Sequence, residues 1–243
     1  MPELILLPGL ACDAEAWDGV AAPLAAHHRI AVSDVAARHA SLPAMAAALL
    51  AEHPGPLVLV GHSMGGIVAL EALRQAPRRI AAAALLGSTA RPDTPELVAL
   101  RTQAIGLFEE GRIDEVLRAN VPFAFAPGVP PALVERYIGM IRRAGAAALI
   151  AGNRALIERD DQRPLLPRIA CPLLVACGEA DALTPPEHSR EIAAAVRDAR
   201  LELLAGCGHM LTLEAPDRLA ALLLDWLGRL DAVSASSPGA ACS

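Results

Sequence analysis

The sequence predicts an α/β fold: one mostly parallel sheet of about six strands, flanked by helices and carrying a helical insertion. Three observations predict it. Apolar runs of strand length alternate with longer Ala- and Leu-rich stretches of helical length, the pattern of βαβ units. The alternation breaks between about residues 90 and 167, where no run reads as a strand. It then resumes for two more strands before the C-terminus.

The first strand is the apolar run at residues 4–7, ended by Pro8-Gly9. The second is read at 29–35, with a helix at 41–53 closed by Pro54-Gly55-Pro56. Residues 57–61 form a compact Leu and Val run, the composition of a central strand buried on both faces. The helix at 64–76 stops at Pro77, and a strand follows at 80–87. Helical patches then stand at 95–110, 113–120, 132–143 and 146–159, with Pro127-Gly128-Val129-Pro130-Pro131 as a link. A strand at 173–177, a helix at 186–196, a strand at 200–205 and a helix at 216–230 complete the pattern. The expected division is a core at 1–89 and 168–230, an insertion at 90–167, and a disordered tail at 231–243 of small and polar residues. Ligands of open α/β sheets bind outside the carboxyl ends of the strands, so the insertion is expected to form a lid there.

A chain of 243 residues fits one domain of this kind. The formal charge of -6, with no basic patch, gives no reason to expect a nucleic-acid partner. Hydrophobic residues make up 54%, but their runs are too short to span a bilayer, so no membrane partner is expected. Met1-Pro2-Glu3 leads into the first strand without a basic region, so no signal peptide is read and a cytoplasmic location is expected. The five cysteines lack zinc-ligand spacing and read as reduced, mostly buried thiols; no metal and no cofactor is expected.

Gly61-His62-Ser63-Met64-Gly65-Gly66 follows a predicted strand and opens a predicted helix, the context that a G-x-S-x-G nucleophile elbow requires. The glycines relieve a steric problem. The serine must turn sharply from strand to helix, and side chains at the flanking positions would collide. Ser63 then lies at a helix N-terminus, where free N–H groups favour negative charge. A serine hydroxyl needs a base to take its proton, and the base needs a carboxylate to orient it. Only His188 and His209 follow Ser63. His209 lies just past the last predicted strand, after Gly206 and Gly208 and on the same sheet edge as Ser63, whereas His188 falls inside a helix. Asp181 occupies the equivalent loop after the strand at 173–177; Glu179 is its nearest competitor and Asp93 a distant one, and a turn or helix-capping role is the plain alternative. The backbone N–H groups of Met64 and Leu10 are the expected oxyanion donors. Cys12 and Cys207 flank the site and read as packing residues, and His62 is expected to point away from Ser63. Phe123, Phe125, Tyr137 and Met140 either line a substrate pocket or hold the inserted helices together.

These residues resemble the α/β-hydrolase superfamily across residues 1–229. The matching pieces are Leu6-Leu7-Pro8-Gly9-Leu10, the elbow, Gly178-Glu179-Ala180-Asp181 with Pro185, and Gly208-His209 with Glu214 and Pro216. Within the superfamily the chain is similar to the lidded group of esterases, enol-lactonases and menaquinone-synthase-like proteins. The resemblance implies Ser63, Asp181 and His209 as the triad, with Leu10 and Met64 as oxyanion donors. Two features depart from it: Pro8 stands where such proteins usually carry histidine, and the antiparallel hairpin that commonly precedes the first strand is missing. The expectation is therefore an all-parallel sheet of about six strands. The function read from the sequence is hydrolysis of a small carboxylic ester or lactone through an acyl-enzyme on Ser63, with a small molecule as the partner. Carbon–carbon bond hydrolysis or a lyase step on the same triad is the alternative, and a non-catalytic ligand-binding protein is a third. A dehalogenase would need aspartate where Ser63 stands.

Overall fold

The computed structural model describes residues 2–236. Six strands form one sheet: β1 (Glu3–Leu7), β2 (Ile30–Val32), β3 (Leu57–His62), β4 (Ile80–Leu86), β5 (Leu173–Gly178) and β6 (Ala199–Leu204). Their spatial order is β2-β1-β3-β4-β5-β6, and every pairing is parallel. The expected strand count and direction therefore hold. Because neighbours run the same way, all the carboxyl ends share one edge, and the order reverses beside β1 and β3. That edge and that switch point are where a doubly wound sheet places its ligand site.

Alternate residues of each central strand enter opposite cores. Leu4, Leu6, Val58, Val60, Ala82, Ala84, Leu174 and Ala176 belong to one apolar cluster. Ile5, Leu7, Leu57, Leu59, Ala83, Leu85, Leu173 and Val175 belong to the other. This period of two explains why the strands read as continuous apolar runs: both faces are covered. Helices α1 (Asp18–Ala25) and α10 (Pro216–Ser236) contribute Val20, Leu24, Leu219, Leu223 and Trp226 to the first core. Helices α3 (Leu42–Glu52), α4 (Met64–Gln75) and α8 (Pro186–Ala195) cover the second. The short helices α2 (Val35–Arg38) and α9 (Leu211–Glu214) close loops between larger elements.

Between β4 and β5 run three helices and no strand: α5 (Pro95–Glu109), α6 (Ile113–Ala124) and α7 (Pro131–Ile157). Thr94 caps α5 by accepting the Leu97 N–H at 3.3 Å. Helix α7 is two helical pieces that meet at Gly145, whose φ of 78° and ψ of 175° interrupt the helical path where the sequence predicts a boundary.

Several expectations need correction. The second strand covers only Ile30–Val32, with a turn of helix where its predicted end lay. Helix α1 lies in a stretch to which the sequence pattern assigned no element, and it carries Gly19 and Pro23 within it. Helix α6 continues past residue 120 and carries Pro122 inside it. Helix α10 continues to Ser236, into the stretch expected to be a disordered tail; residues 237–243 of that stretch, Cys242 among them, lie outside the described residues.

Candidate active site

Ser63 sits between β3 and α4 with φ 52° and ψ −117°. Non-glycine residues avoid this region at a cost of about 1–3 kcal/mol, and such strain persists only where the surroundings enforce it. Here the Ser63 N–H donates to the Leu86 carbonyl at 2.8 Å, and Ser88 Oγ donates to the Ser63 carbonyl at 2.9 Å. The glycines of the elbow are required by contact. A Cβ at Gly61 would strike the Gly65 carbonyl, and one at Gly65 would strike the Leu7 carbonyl.

The carboxyl edge brings Asp181 and His209 to Ser63. His209 Nε2 lies 2.9 Å from Ser63 Oγ, and His209 Nδ1 lies 2.9 Å from Asp181 Oδ2. A carboxylate only accepts, so Nδ1 carries the proton and Nε2 presents its lone pair to the serine hydroxyl. Asp181 and His209 are buried. Asp181 Oδ1 accepts the N–H groups of Leu183 and Thr184, at 2.9 and 2.8 Å, and Thr184 Oγ1 donates to Oδ2 at 2.9 Å. Burial by itself would raise the Asp181 carboxyl; the hydrogen bond and charge of His209, with the Thr184 donors, outweigh it and hold the group below the usual range. Gly87, at φ 50°, leaves room for this pair: a Cβ there would stand 3.1 Å from Asp181 Oδ2 and 3.4 Å from His209 Nδ1.

The competing candidates are elsewhere. His188 lies in the first turn of α8 and bonds neither Ser63 nor Asp181. Glu179 is exposed. Asp93 is buried against Arg101 and Arg159, at 2.6 and 2.7 Å. Burial pushes the thiols of Cys12, Cys177 and Cys207 up to about 12, so none offers a thiolate near neutral pH.

Leu10 and Met64 both lie beneath α7 at the carboxyl edge. The Met64 N–H opens α4 and has no helical acceptor, and the Leu10 N–H has no acceptor among the described residues. Gly152 of α7 covers both side chains: a Cβ on it would strike Leu10 Cδ1 and stand 3.8 Å from Met64 Sδ. The aromatic candidates divide. Phe125 and Tyr137 pack edge to face at 5.2 Å and, with Met140, are buried in the first core. Phe125 also lines a cavity of about 460 Å³ with Val121, Pro122, Ala126, Val129 and Val134. Phe123 is 52% exposed and lines neither.

Sequence reasoning gave no role to three residues of this region. Thr184 fixes Asp181. Glu214 accepts the N–H groups of Gly208, at 3.0 Å, and Ala126, at 2.9 Å, and so ties the His209 loop to the end of α6. His62 makes no hydrogen bond to the serine hydroxyl among the described residues, and its Nε2 meets the His209 carbonyl at 2.9 Å. The spacing from His209 to Glu214 was visible in the sequence; its partner in the α5–α7 segment was not. Among the described residues, no group of three or more His, Cys, Asp or Glu could hold a metal ion, and no helix is long and apolar enough to cross a membrane.

The sequence profile of the alpha/beta hydrolase family matches residues 4–222. The pimeloyl-[acyl-carrier protein] methyl ester esterase of Aromatoleum aromaticum is 28% identical over 252 residues, covering 92% of this chain and 97% of that protein. Polyketide synthase ThaQ of Burkholderia thailandensis is 29% identical over 168 residues; they amount to 64% of this chain and 8% of the synthase. Among solved structures, a thermophilic esterase from Thermogutta terrifontis superimposes with a TM-score of 0.86 at 25% identity, covering 95% of this chain and 90% of its own. The enol-lactonase from Burkholderia xenovorans LB400 gives a TM-score of 0.84 at 22% identity, over 93% and 91% of the two chains, a likeness of fold.

Proposed function

The chain belongs to the alpha/beta hydrolase family and is a hydrolase; from that premise we propose that it cleaves a small carboxylic ester or lactone through an acyl-enzyme on Ser63. The observation that carries this reading is the unbroken line from Ser63 Oγ to His209 to Asp181, with both hydrogen bonds at 2.9 Å. As Ser63 attacks the carbonyl carbon, His209 Nε2 takes its proton, and Asp181 stabilises the imidazolium that results. The Leu10 and Met64 N–H groups receive the oxyanion. His209 then protonates the leaving alkoxide. A water, deprotonated in turn by His209, releases the acid and restores the serine.

The arginines of α6 and α7 form exposed ion pairs within the chain. Arg118 pairs with Glu135, Arg142 with Asp114, Arg136 with Glu15 and Asp18, and Arg143 with Asp13 and Glu15. These guanidinium groups are engaged by carboxylates of this same chain. The α5–α7 segment acts as the lid, with Gly152 seated over Leu10 and Met64 as its inner wall. Phe125 and Tyr137 hold that lid together.

Turnover of short p-nitrophenyl esters and of small lactones by the wild type and by Ser63→Ala tests the proposal. The expected result is hydrolysis by the wild type and a loss of at least ~10³-fold in kcat in the variant. Equal turnover by the two proteins would refute it.

A further inference from the structure

We propose that His62 is a positioning residue for the base: its Nε2–H, donated to the backbone carbonyl of His209, holds the His209 imidazole in line between Asp181 and Ser63. This inference rests on the reading of His209 as the base.

The tautomer follows from the partners. His62 Nε2 lies 2.9 Å from the His209 carbonyl oxygen, which can only accept, so Nε2 carries the proton. A neutral ring then leaves Nδ1 bare. Nδ1 is buried with no hydrogen-bond partner among the described residues, and a Cβ on Gly9 would stand 3.2 Å from it. A second proton on Nδ1 would be a donor without an acceptor in a dry place. The ring therefore stays neutral: burial first, then the neighbouring charge of His209, push His62 down to about 3.

That neutrality matters for the reaction. The rings of His62 and His209 are 5.1 Å apart and tilted by 46°. When His209 accepts the serine proton, it is the one imidazolium of the pair and meets no like charge from His62. The other titratable groups around it are Asp181, its anionic partner, and Cys177, whose thiol lies 3.7 Å from Asp181 Oδ2 and is kept neutral. Glu214 is engaged on the Gly208 and Ala126 N–H groups.

His62 also differs in kind from the other contacts that fix the His209 loop. Gly208 is held by Glu214, the Met210 N–H donates to the Ala124 carbonyl at 3.1 Å, and the Ala180 N–H donates to the Cys207 carbonyl at 2.9 Å. The first two reach toward the end of α6, and the third comes from the loop that carries Asp181. His62 reaches from the elbow itself, one residue before Ser63. Its hydrogen bond therefore references the base to the nucleophile, and its other edge rests against Gly9 of the expected oxyanion loop. A motion of the lid that shifted α6 would leave this contact in place.

The test compares His62→Leu, which keeps apolar bulk and loses the donor, with His62→Gln, whose amide N–H reaches the position of Nε2. Expected for His62→Leu are a fall in kcat of about tenfold with little change in KM, a shifted acid limb in the pH profile of kcat/KM, and loss of the downfield His209 Nδ1 proton signal. His62→Gln is expected to recover most of the kcat and the signal. Two folded variants that match the wild type would overturn the proposal. So would two that are equally impaired, since that pattern belongs to ring packing. If His62→Leu fails to fold, His62→Asn replaces it: its amide is too short to reach the carbonyl, so Asn and Gln variants of equal activity overturn the proposal. Ser63→Ala runs beside them. Full turnover by Ser63→Ala removes the triad reading and this inference with it; an essential Ser63 beside an unaffected His62→Leu removes the inference alone.

Discussion

The two ends of the sheet are made by the same six strands, yet they hold different things. At the carboxyl ends, Ser63 is strained at φ 52°, the Asp181–His209 pair is buried, and glycines at 61, 65 and 87 let backbone and side chains approach to contact. At the amino ends, a cavity of about 460 Å³ lies among Leu4, Val58, Ala82, Leu173, Trp226 and Leu227. Its arginines are in surface pairs: Arg200 with Glu202 and Asp225, and Arg229 with Asp225. The cavity lined by Phe125 has the same volume. Volume therefore says little about where the chemistry is. Backbone strain and buried polar groups with satisfied hydrogen bonds say more, because both cost stability and persist where function needs them.

Substitutions at the two ends should separate activity from stability. Asp181→Asn should lower kcat by about 10³–10⁴-fold, because an amide can present N–H to His209 and hold it in the wrong tautomer. Ester turnover at saturating substrate checks this, and a loss below tenfold would place the orienting carboxylate elsewhere. Trp226→Ala should do the opposite. It removes a buried side chain at the amino end and should cost about 3–5 kcal/mol of stability, with kcat per folded molecule unchanged. Urea unfolding beside active-site titration reads both quantities, and a proportional loss of kcat would break the separation.

A subtler difference lies in acid. A carboxyl held below its unfolded value contributes stability above that value and loses it as pH falls through the lowered folded value. The Asp181 carboxyl is such a group. Whatever their difference at neutral pH, the wild type should lose more stability than Asp181→Asn as pH falls below the ordinary aspartate range. Parallel stability curves would contradict the hydrogen-bond account of Asp181. The smallest effect belongs to the exposed ion pairs of the α5–α7 segment. Arg118→Ala removes its pair with Glu135, and both side chains are more than half exposed. It should change stability by under about 1 kcal/mol and leave ester turnover unaltered.

The carboxyl edge was more legible in the sequence than the segment above it, for a physical reason. A strand-to-helix turn around a strained serine demands glycines at fixed offsets, and loops after parallel strands share one edge by topology. The closeness of Ser63, Asp181 and His209 on that edge was thus legible. Thr184 was not found, because a threonine beside an aspartate is also ordinary turn chemistry. The helix Asp18–Ala25, with Gly19 and Pro23 inside it, was not legible. In the structure a Cβ on Gly19 would meet Pro216 at 2.6 Å, a contact no local pattern announces. Phe123 and Phe125 are two residues apart, yet one is half exposed and the other buried. Which way each faces depends on where α6 ends, and Pro122 concealed that end.

The most direct test of the central claim is to label the protein with a fluorophosphonate and map the adduct by mass spectrometry. Expected is a single stoichiometric adduct on Ser63, absent from Ser63→Ala and formed far more slowly in His209→Ala. A folded wild type that takes no label, or takes it on another residue, would contradict the account.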